Sequence, residues 1–370
     1  MPATKVVCVE FMDGRSYGIT IGTDVLSDGT LDQHVFESHA IVITETRIAN
    51  LGVDGPVGKV ISNLSARGLS VDLITFTGGE ARKNLKTVAT LYERLYALPG
   101  LDRRSTIVAV GGGVVGDIVG FVAATYLRGL KFVQVPTTVL SMVDSSVGGK
   151  TGVDFQLGKN IIGSFLQPAA VWIDPSVVSS LPMREVRSGL AEVVKYGVIA
   201  DQSILTQCES MPVGSGAFRL ESWLIQRSCE IKAVMVMEDE HEQTGLRATL
   251  NFGHTIGHAI EGATAYKRFK HGEAVAIGMV SALHIGEVLG WSPPDVTQRV
   301  TECLRRLKLP VDLPQDLSDE SILALTARDK KAVSGVARFV LLRAIEDVQL
   351  TAVSHECVVA GLAKHRASIK

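Results

Sequence analysis

The sequence predicts an α/β part with a parallel sheet over residues 1–177, followed by an all-α, or mostly helical, part over 178–370. Three observations lead there. Up to about residue 175, short β-branched apolar runs alternate with stretches of helical periodicity, the pattern of parallel strands covered by helices. Beyond about Asp174 long amphipathic segments take over and strand-like runs become few. Within the first part a run of glycines stands where a strand gives way to a helix, the turn at which such sheets receive phosphates.

Taken in order, residues 6–10 and 17–21 read as a strand pair joined by the Asp13-Gly14 turn. Residues 40–45, 71–76, 105–110 and 132–135 are apolar and β-branched enough for buried parallel strands. Between them, 57–67 and 83–98 show helical periodicity. In the second part the periodic segments are 183–200, 219–238, 245–262 and 272–289. No internal repeat or low-complexity stretch interrupts them.

Composition bounds the function. The 370 residues suffice for two cores. A net charge of −2, with charged residues spread along the chain, gives no support to binding nucleic acid or an anionic membrane. Residues 1–10 lack the basic start and apolar stretch of a secretory signal. No stretch of about 18 uncharged apolar residues exists, because Asp117, Arg128, His284 and Glu287 break the best candidates. Five scattered cysteines, in no metal-ligand spacing, read as free thiols in a reducing cytoplasm.

Gly111-Gly112-Gly113-Val114-Val115-Gly116-Asp117 follows the strand at 105–110 and opens an apolar helix. Backbone there can approach a pyrophosphate, and a helix N-terminus supplies free N–H groups. The spacing is not that of G-x-G-x-x-G, so a tight structural turn is the alternative. Gly79-Glu80 with Lys83, at another strand-to-helix turn, could hold ribose hydroxyls and phosphates. Pro136-Thr137-Thr138 offers hydroxyls at the C-terminal sheet edge. Downstream come Asp144-Ser145-Ser146-Val147-Gly148-Gly149-Lys150 and Gly158-Lys159-Asn160, read as glycine-rich loops. A triphosphate-binding loop is rejected, since Asp144 stands five residues before Gly149. The lysines and asparagine still suit a phosphate or carboxylate, or else are solvated on an exposed loop.

The densest chemistry lies between Arg247 and Glu273. Arg247, Asn251, His254 and His258 fall at helical spacings on one face, and His271 with Glu273 follows a basic loop. At i and i+4, His254 and His258 can reach one ion. The alternative is two half-buried histidines on an amphipathic helix. Arg, Asn and a third His favour a site for both a metal and an anion.

Together these blocks resemble 3-dehydroquinate synthase, of the sugar-phosphate cyclases. Besides the glycine segments, the resemblance rests on Val135-Pro136-Thr137-Thr138, Gly189-Leu190-Ala191-Glu192-Val193-Val194-Lys195, Gly245-Leu246-Arg247, Leu250-Asn251-Phe252-Gly253-His254, His271-Gly272-Glu273 and Asp329-Lys330-Lys331. It spans about residues 5 to 360. It implies an N-terminal Rossmann-like NAD-binding domain and a C-terminal helical metal-binding domain. The implied reaction converts 3-deoxy-D-arabino-heptulosonate 7-phosphate to 3-dehydroquinate and phosphate. It runs through transient oxidation with NAD, phosphate elimination, reduction, ring opening and aldol closure, so the enzyme is a lyase of the shikimate pathway with no net redox change.

By the resemblance, the metal ligands are Glu192, His254 and His271, holding zinc or cobalt, and His258 becomes a general base instead of a ligand. Arg247 and Lys232 would grip the substrate carboxylate. Lys150, Asn160, Asn251, His258 and Lys330 would surround the phosphate, with Asp144 and Lys195 completing the substrate set. Arg128, in Tyr126-Leu127-Arg128-Gly129, would serve the neighbouring subunit of a homodimer. Glu80, Lys83, Gly112, Gly113, Asp117, Thr137, Thr138 and Lys159 would hold NAD, with residues 44–46 near its adenosine end. Two departures stand out: residues 239–245 run one residue longer than the family spacing, and Lys330 competes with Lys331 for one role. The rivals are a cyclase making an inosose or a valiolone, and a metal- and NAD-dependent polyol dehydrogenase of the glycerol dehydrogenase type.

Overall fold

The computed structural model describes residues 4–27, 35–37, 39–156, 158–212, 220–326 and 338–368. The chain forms two compact units, Met1–Leu181 with Arg219–Met237, and Pro182–Phe218 with Glu238–Lys370. This differs from a single cut at 177: the division follows Leu181, and Arg219–Met237 returns to the first unit. The contacts there give the reason. Lys232 Nζ donates to the Asp144 carbonyl at 2.7 Å, Cys229 Sγ to the Met142 carbonyl, and Glu10 N to the Met237 sulfur.

The first unit is built on a seven-stranded sheet. Its strands are β1 (Lys5–Glu10), β2 (Ser16–Ile21), β3 (His39–Glu45), β4 (Ser70–Phe76), β5 (Thr106–Gly111), β6 (Lys131–Pro136) and β9 (Ala170–Ile173), in the order β1-β2-β9-β6-β5-β3-β4. Only β1 and β2 pair antiparallel; the other neighbours run parallel. Period-two alternation sends the two sides of each strand into different cores. Ile41, Ile43, Ile107 and Ala109 pack against α3 (Leu85–Tyr96) and α4 (Gly113–Thr125). Ala40, Val42, Val108 and Val110 pack with α2 (Pro56–Ala66), near the short α1 (Thr46–Ala49). Burial on both faces explains why these strands read as unbroken apolar runs. Each fully buried Val, Ile or Leu contributes about 1.5–3 kcal/mol.

Two segments read as loops are strands. Lys150–Phe155 (β7) and Gly158–Phe165 (β8) form an antiparallel hairpin. Lys150 therefore sits on a paired backbone opposite Phe165, while Lys159 and Asn160 fall where the register shifts, and Asn160 holds φ +51° with its N–H donating to Asp154 Oδ1 at 2.8 Å.

The second unit is helical: α5 (Met183–Ile199), α6 (Gln202–Ser210), α8 (His254–Ala263), α9 (His271–Val288), α10 (Pro294–Arg306), α11 (Asp319–Thr326) and α12 (His355–Ala367), while α7 (Ser222–Glu238) lies almost wholly in the first unit. One hairpin, β10 (Arg338–Ala344) with β11 (Asp347–Ala352), was not expected from the sequence. The expected helix over 245–262 is broken. Arg247–Asn251 is a 3-10 turn, Gly253 takes φ +79°, and α8 starts at His254. A Cβ on Gly253 would stand 2.5 Å from Met279 Cγ, and one on Gly278 would stand 1.9 Å from the Gly253 carbonyl oxygen. Glycine is thus needed where α8 and α9 touch backbone to backbone, and periodicity read across it loses its meaning. Among the described residues, no helix is long and apolar enough to cross a membrane.

Candidate active site

Three elements of the second unit converge. Glu192 comes from the middle of α5, His254 opens α8 and His271 opens α9. Gly272 lets α9 start against α5: its N–H donates to Ser188 Oγ at 3.0 Å, and a Cβ there would lie 1.8 Å from the Ser188 carbonyl oxygen. Glu192 stands one helical turn beyond Ser188, so this close approach carries its carboxylate to His271.

Glu192 is fully buried. Its Oε1 stands 3.6 Å from Nε2 of His254 and 3.6 Å from Nε2 of His271, longer than a hydrogen bond. Two donors sharing a tetrahedral ion at zinc-ligand distances stand about 3.4 Å apart. The three ligand atoms lie within 4.8 Å of one another. A carboxylate and two imidazoles, spaced too far for each other and right for a common centre, fit one divalent ion. Lys195 Nζ, itself buried, pairs with Glu192 Oε2 at 2.5 Å.

The electrostatics suit ligation at Glu192 and His254, while His271 holds a proton that an ion would displace. Burial would raise Glu192, but Lys195, His254 and His271 outweigh it and hold the carboxyl well below its usual range. Burial pushes His254 far down, so its imidazole is neutral and able to ligate. Burial alone would lower His271 as well; the Glu261 and Glu192 carboxylates overcome it and lift the imidazole to about 10. His258 is exposed one turn along α8, its ring 5.4 Å from that of His254 and 5.9 Å from that of His271.

The one-face stack of Arg247, Asn251, His254 and His258 does not form, because the helix breaks at Gly253. Arg247 is nonetheless fixed and buried: its N–H donates to Asp239 Oδ2 at 3.1 Å and its Nη1 to the Glu240 carbonyl at 2.5 Å. Asn251 Nδ2 donates to the Ala248 carbonyl. Glu273 is turned elsewhere, gripped by Nε and Nη2 of Arg184, each at 2.7 Å, and accepting from Lys270 N. Lys330 and Lys331 lie outside the described residues.

Two residues went unnoticed in the sequence. Asp239 accepts from the N–H groups of Gln243, Thr244, Gly245 and Arg247, so one buried carboxylate organises the loop that delivers Arg247. The available signal was an aspartate ahead of a Thr-Gly turn. Glu261 lies three residues past His258 on α8, a spacing that marks a shared helical face.

In the first unit, Gly112 caps α4 at the C-terminal end of β5, at the switch point where the chain crosses between β3 and β5. A Cβ on Gly112 would stand 3.0 Å from Thr138 Cγ2, and one on Gly113 would stand 3.1 Å from Ser145 Oγ. Thr137 N donates to the Gly111 carbonyl, and Thr138 bonds Ser141 through its hydroxyl at 2.8 Å. Around this turn the charged candidates pair with one another, Lys83 with Asp117 at 2.5 Å and Lys159 with Glu80 at 3.2 Å. Burial lowers Lys83, but Asp117 and Glu80 outweigh it and keep the amine charged. Lys232 Nζ lies 3.0 Å from Asp144 Oδ1. Arg128 is exposed in a turn where Leu127, Arg128 and Gly129 have φ of +51°, +68° and +120°.

Comparison with known proteins gives the family. The chain is 44% identical over 337 residues to the chloroplastic 3-dehydroquinate synthase of Solanum lycopersicum, covering 89% of this chain and 74% of the relative. It is 43% identical over 349 residues to the 3-dehydroquinate synthase of Picosynechococcus, covering 91% and 92%. A crystal structure of 2-deoxy-scyllo-inosose synthase, complexed with carbaglucose-6-phosphate, NAD+ and Co2+, superposes with a TM-score of 0.84 at 28% identity, over 98% of this chain and 100% of that one. The family model described as 3-dehydroquinate synthase N-terminal matches residues 73–188, and its C-terminal counterpart matches 189–332. With both halves matched and two named relatives above 40% identity, this chain belongs to the 3-dehydroquinate synthase family.

Proposed function

We propose that the protein converts 3-deoxy-D-arabino-heptulosonate 7-phosphate to 3-dehydroquinate and phosphate, using NAD and one divalent metal, zinc or cobalt. The convergence of Glu192, His254 and His271 on one point carries this reading. When bound, the metal would make a substrate hydroxyl more acidic and NAD would accept and return a hydride.

In the second unit, His258 has the exposure and the neighbourhood for a general base that takes the released proton. Lys195 holds charge against Glu192. Arg247, pre-set by Asp239, suits bidentate capture of a carboxylate. Asn251 and Lys330 are assigned to substrate anchoring. In the first unit, Lys150, Asn160, Asp144 and Lys232 take the anchoring roles. Gly112, Gly113, Asp117, Glu80, Lys83, Thr137, Thr138 and Lys159 would bind NAD, supported by the α4 N-terminus, which Gly112 leaves without a side-chain cap, and by the charged pairs around it. Arg128, exposed in its turn, would serve the neighbouring subunit of a homodimer, as the family resemblance implies. The scattered free thiols support a cytoplasmic setting.

An inosose-forming cyclase is disfavoured by the lower identity of 28% against 43–44%, and by the buried, organised Arg247. Purified protein given the heptulosonate phosphate with catalytic NAD and zinc should release phosphate without NADH accumulating, and a chelator should stop it. Sustained NADH formation from simple polyols would put a dehydrogenase in its place.

A further inference from the structure

His254 and His271 present Nε2 to the same point but are held from behind in different ways. His254 Nδ1 lies 3.1 Å from the Phe252 carbonyl oxygen, a neutral acceptor. His271 Nδ1 lies 3.3 Å from Oε2 of Glu261, a carboxylate whose side chain is 3% exposed. On its other nitrogen, His271 faces Glu192 at 3.6 Å, outside hydrogen-bond range. The ring is thus flanked by two carboxylates, and only the contact at Nδ1 has hydrogen-bond length.

Resting on the metal reading of Glu192, His254 and His271, we propose that Glu261 is the positioning residue of the centre. It accepts the Nδ1–H of His271, which leaves the Nε2 lone pair for the ion and fixes the plane of the ring. A carboxylate behind a ligating imidazole also makes that imidazole a stronger donor. The place of Glu261 in the fold suits this role, since it sits two turns after His254 on α8 and one helix thereby supplies a ligand and the support for another. His258, Glu261 and His271 also have ligand atoms within 4.8 Å of one another, which offers a second ion as the competing use of the same carboxylate. Against that, the Nδ1 of His271 cannot both donate its proton to Glu261 and ligate.

The test measures zinc affinity of the full chain without NAD, by competition with a chromogenic chelator, together with zinc stoichiometry and the absorption spectrum of the cobalt form. Glu261→Ala should weaken zinc about 10- to 100-fold. Glu261→Gln, which keeps an acceptor oxygen and loses the charge, should fall between it and the parent. Both should change the cobalt spectrum while stoichiometry stays at one ion per chain. Metal-free melting curves separate loss of affinity from loss of fold. Unchanged zinc affinity in Glu261→Gln overturns the proposal, as does a second ion in the parent that Glu261→Gln removes. A parent chain that takes up no ion sinks the metal reading itself, a different result from a parent that binds and a variant that binds equally well.

Discussion

His258 and His271 are both close neighbours of His254, yet their surroundings differ. His271 is wedged between Glu192 and Glu261, whereas His258 is exposed on the following turn of α8. His271→Ala should therefore lose metal and turnover together. His258→Ala should retain the metal while turnover falls about 10²- to 10⁴-fold, the usual worth of a general base. Metal analysis beside a phosphate-release assay reads both. Equal metal loss in the two variants would make the i, i+4 histidine pair the ligand set after all. Sequence spacing on its own favoured that pair, because helical periodicity is local and Glu192 stands about sixty residues upstream on another helix. Only the resemblance brought Glu192 forward, and nothing in the spacing pointed to Glu261 as the partner of His271.

At the scale of elements, the site depends on how closely α5, α8 and α9 approach. Gly272→Ala would drive a methyl group into the Ser188 carbonyl and must separate α5 from α9. It should destabilise the fold by about 1–3 kcal/mol and weaken zinc, since Glu192 rides on α5. Melting temperature and zinc affinity measured on one preparation check this; no change in either would show slack at the contact. The parallel strands were legible because β3 and β5 are buried on both faces and so are apolar throughout. The β7–β8 hairpin was not, because Gly152, Gly158 and Gly163 with flanking charges imitate loop composition. The helix break at Gly253 escaped notice because a glycine inside a periodic run does not reveal its φ. The collar of N–H groups on Asp239 depends on chain folding back over eight residues, which no periodicity encodes.

For the molecule as a whole, the acid limb of stability has a named source. His365 is 1% exposed, its ring nitrogens held by Ser281 Oγ at 2.9 Å and the Val311 carbonyl at 2.8 Å. Burial pushes it down to about 4, against the upward pull of the Val311 carbonyl, from the ordinary 6.5 that the unfolded chain recovers. Between those values the unfolded chain binds a proton that the folded chain refuses. Stability is therefore full above pH 6.5 and is lost as pH falls toward 4, by roughly 3 kcal/mol. His284, its ring 5.2 Å away and also lowered by burial, acts in the same direction. His365→Asn should be less stable at neutral pH yet show a flatter urea midpoint from pH 6.5 to 4; parallel profiles would clear His365 of the effect. The turn at Gly253 bears on the molecule's history as well. In an unbroken helix, residues seven apart stay within about 20° of one another, so Arg247 and His254 would be geared together. With the gear disengaged there, the segment that carries Arg247 can change while the imidazoles keep their aim, a freedom that selection or an engineer could use to alter that segment without rebuilding the metal centre.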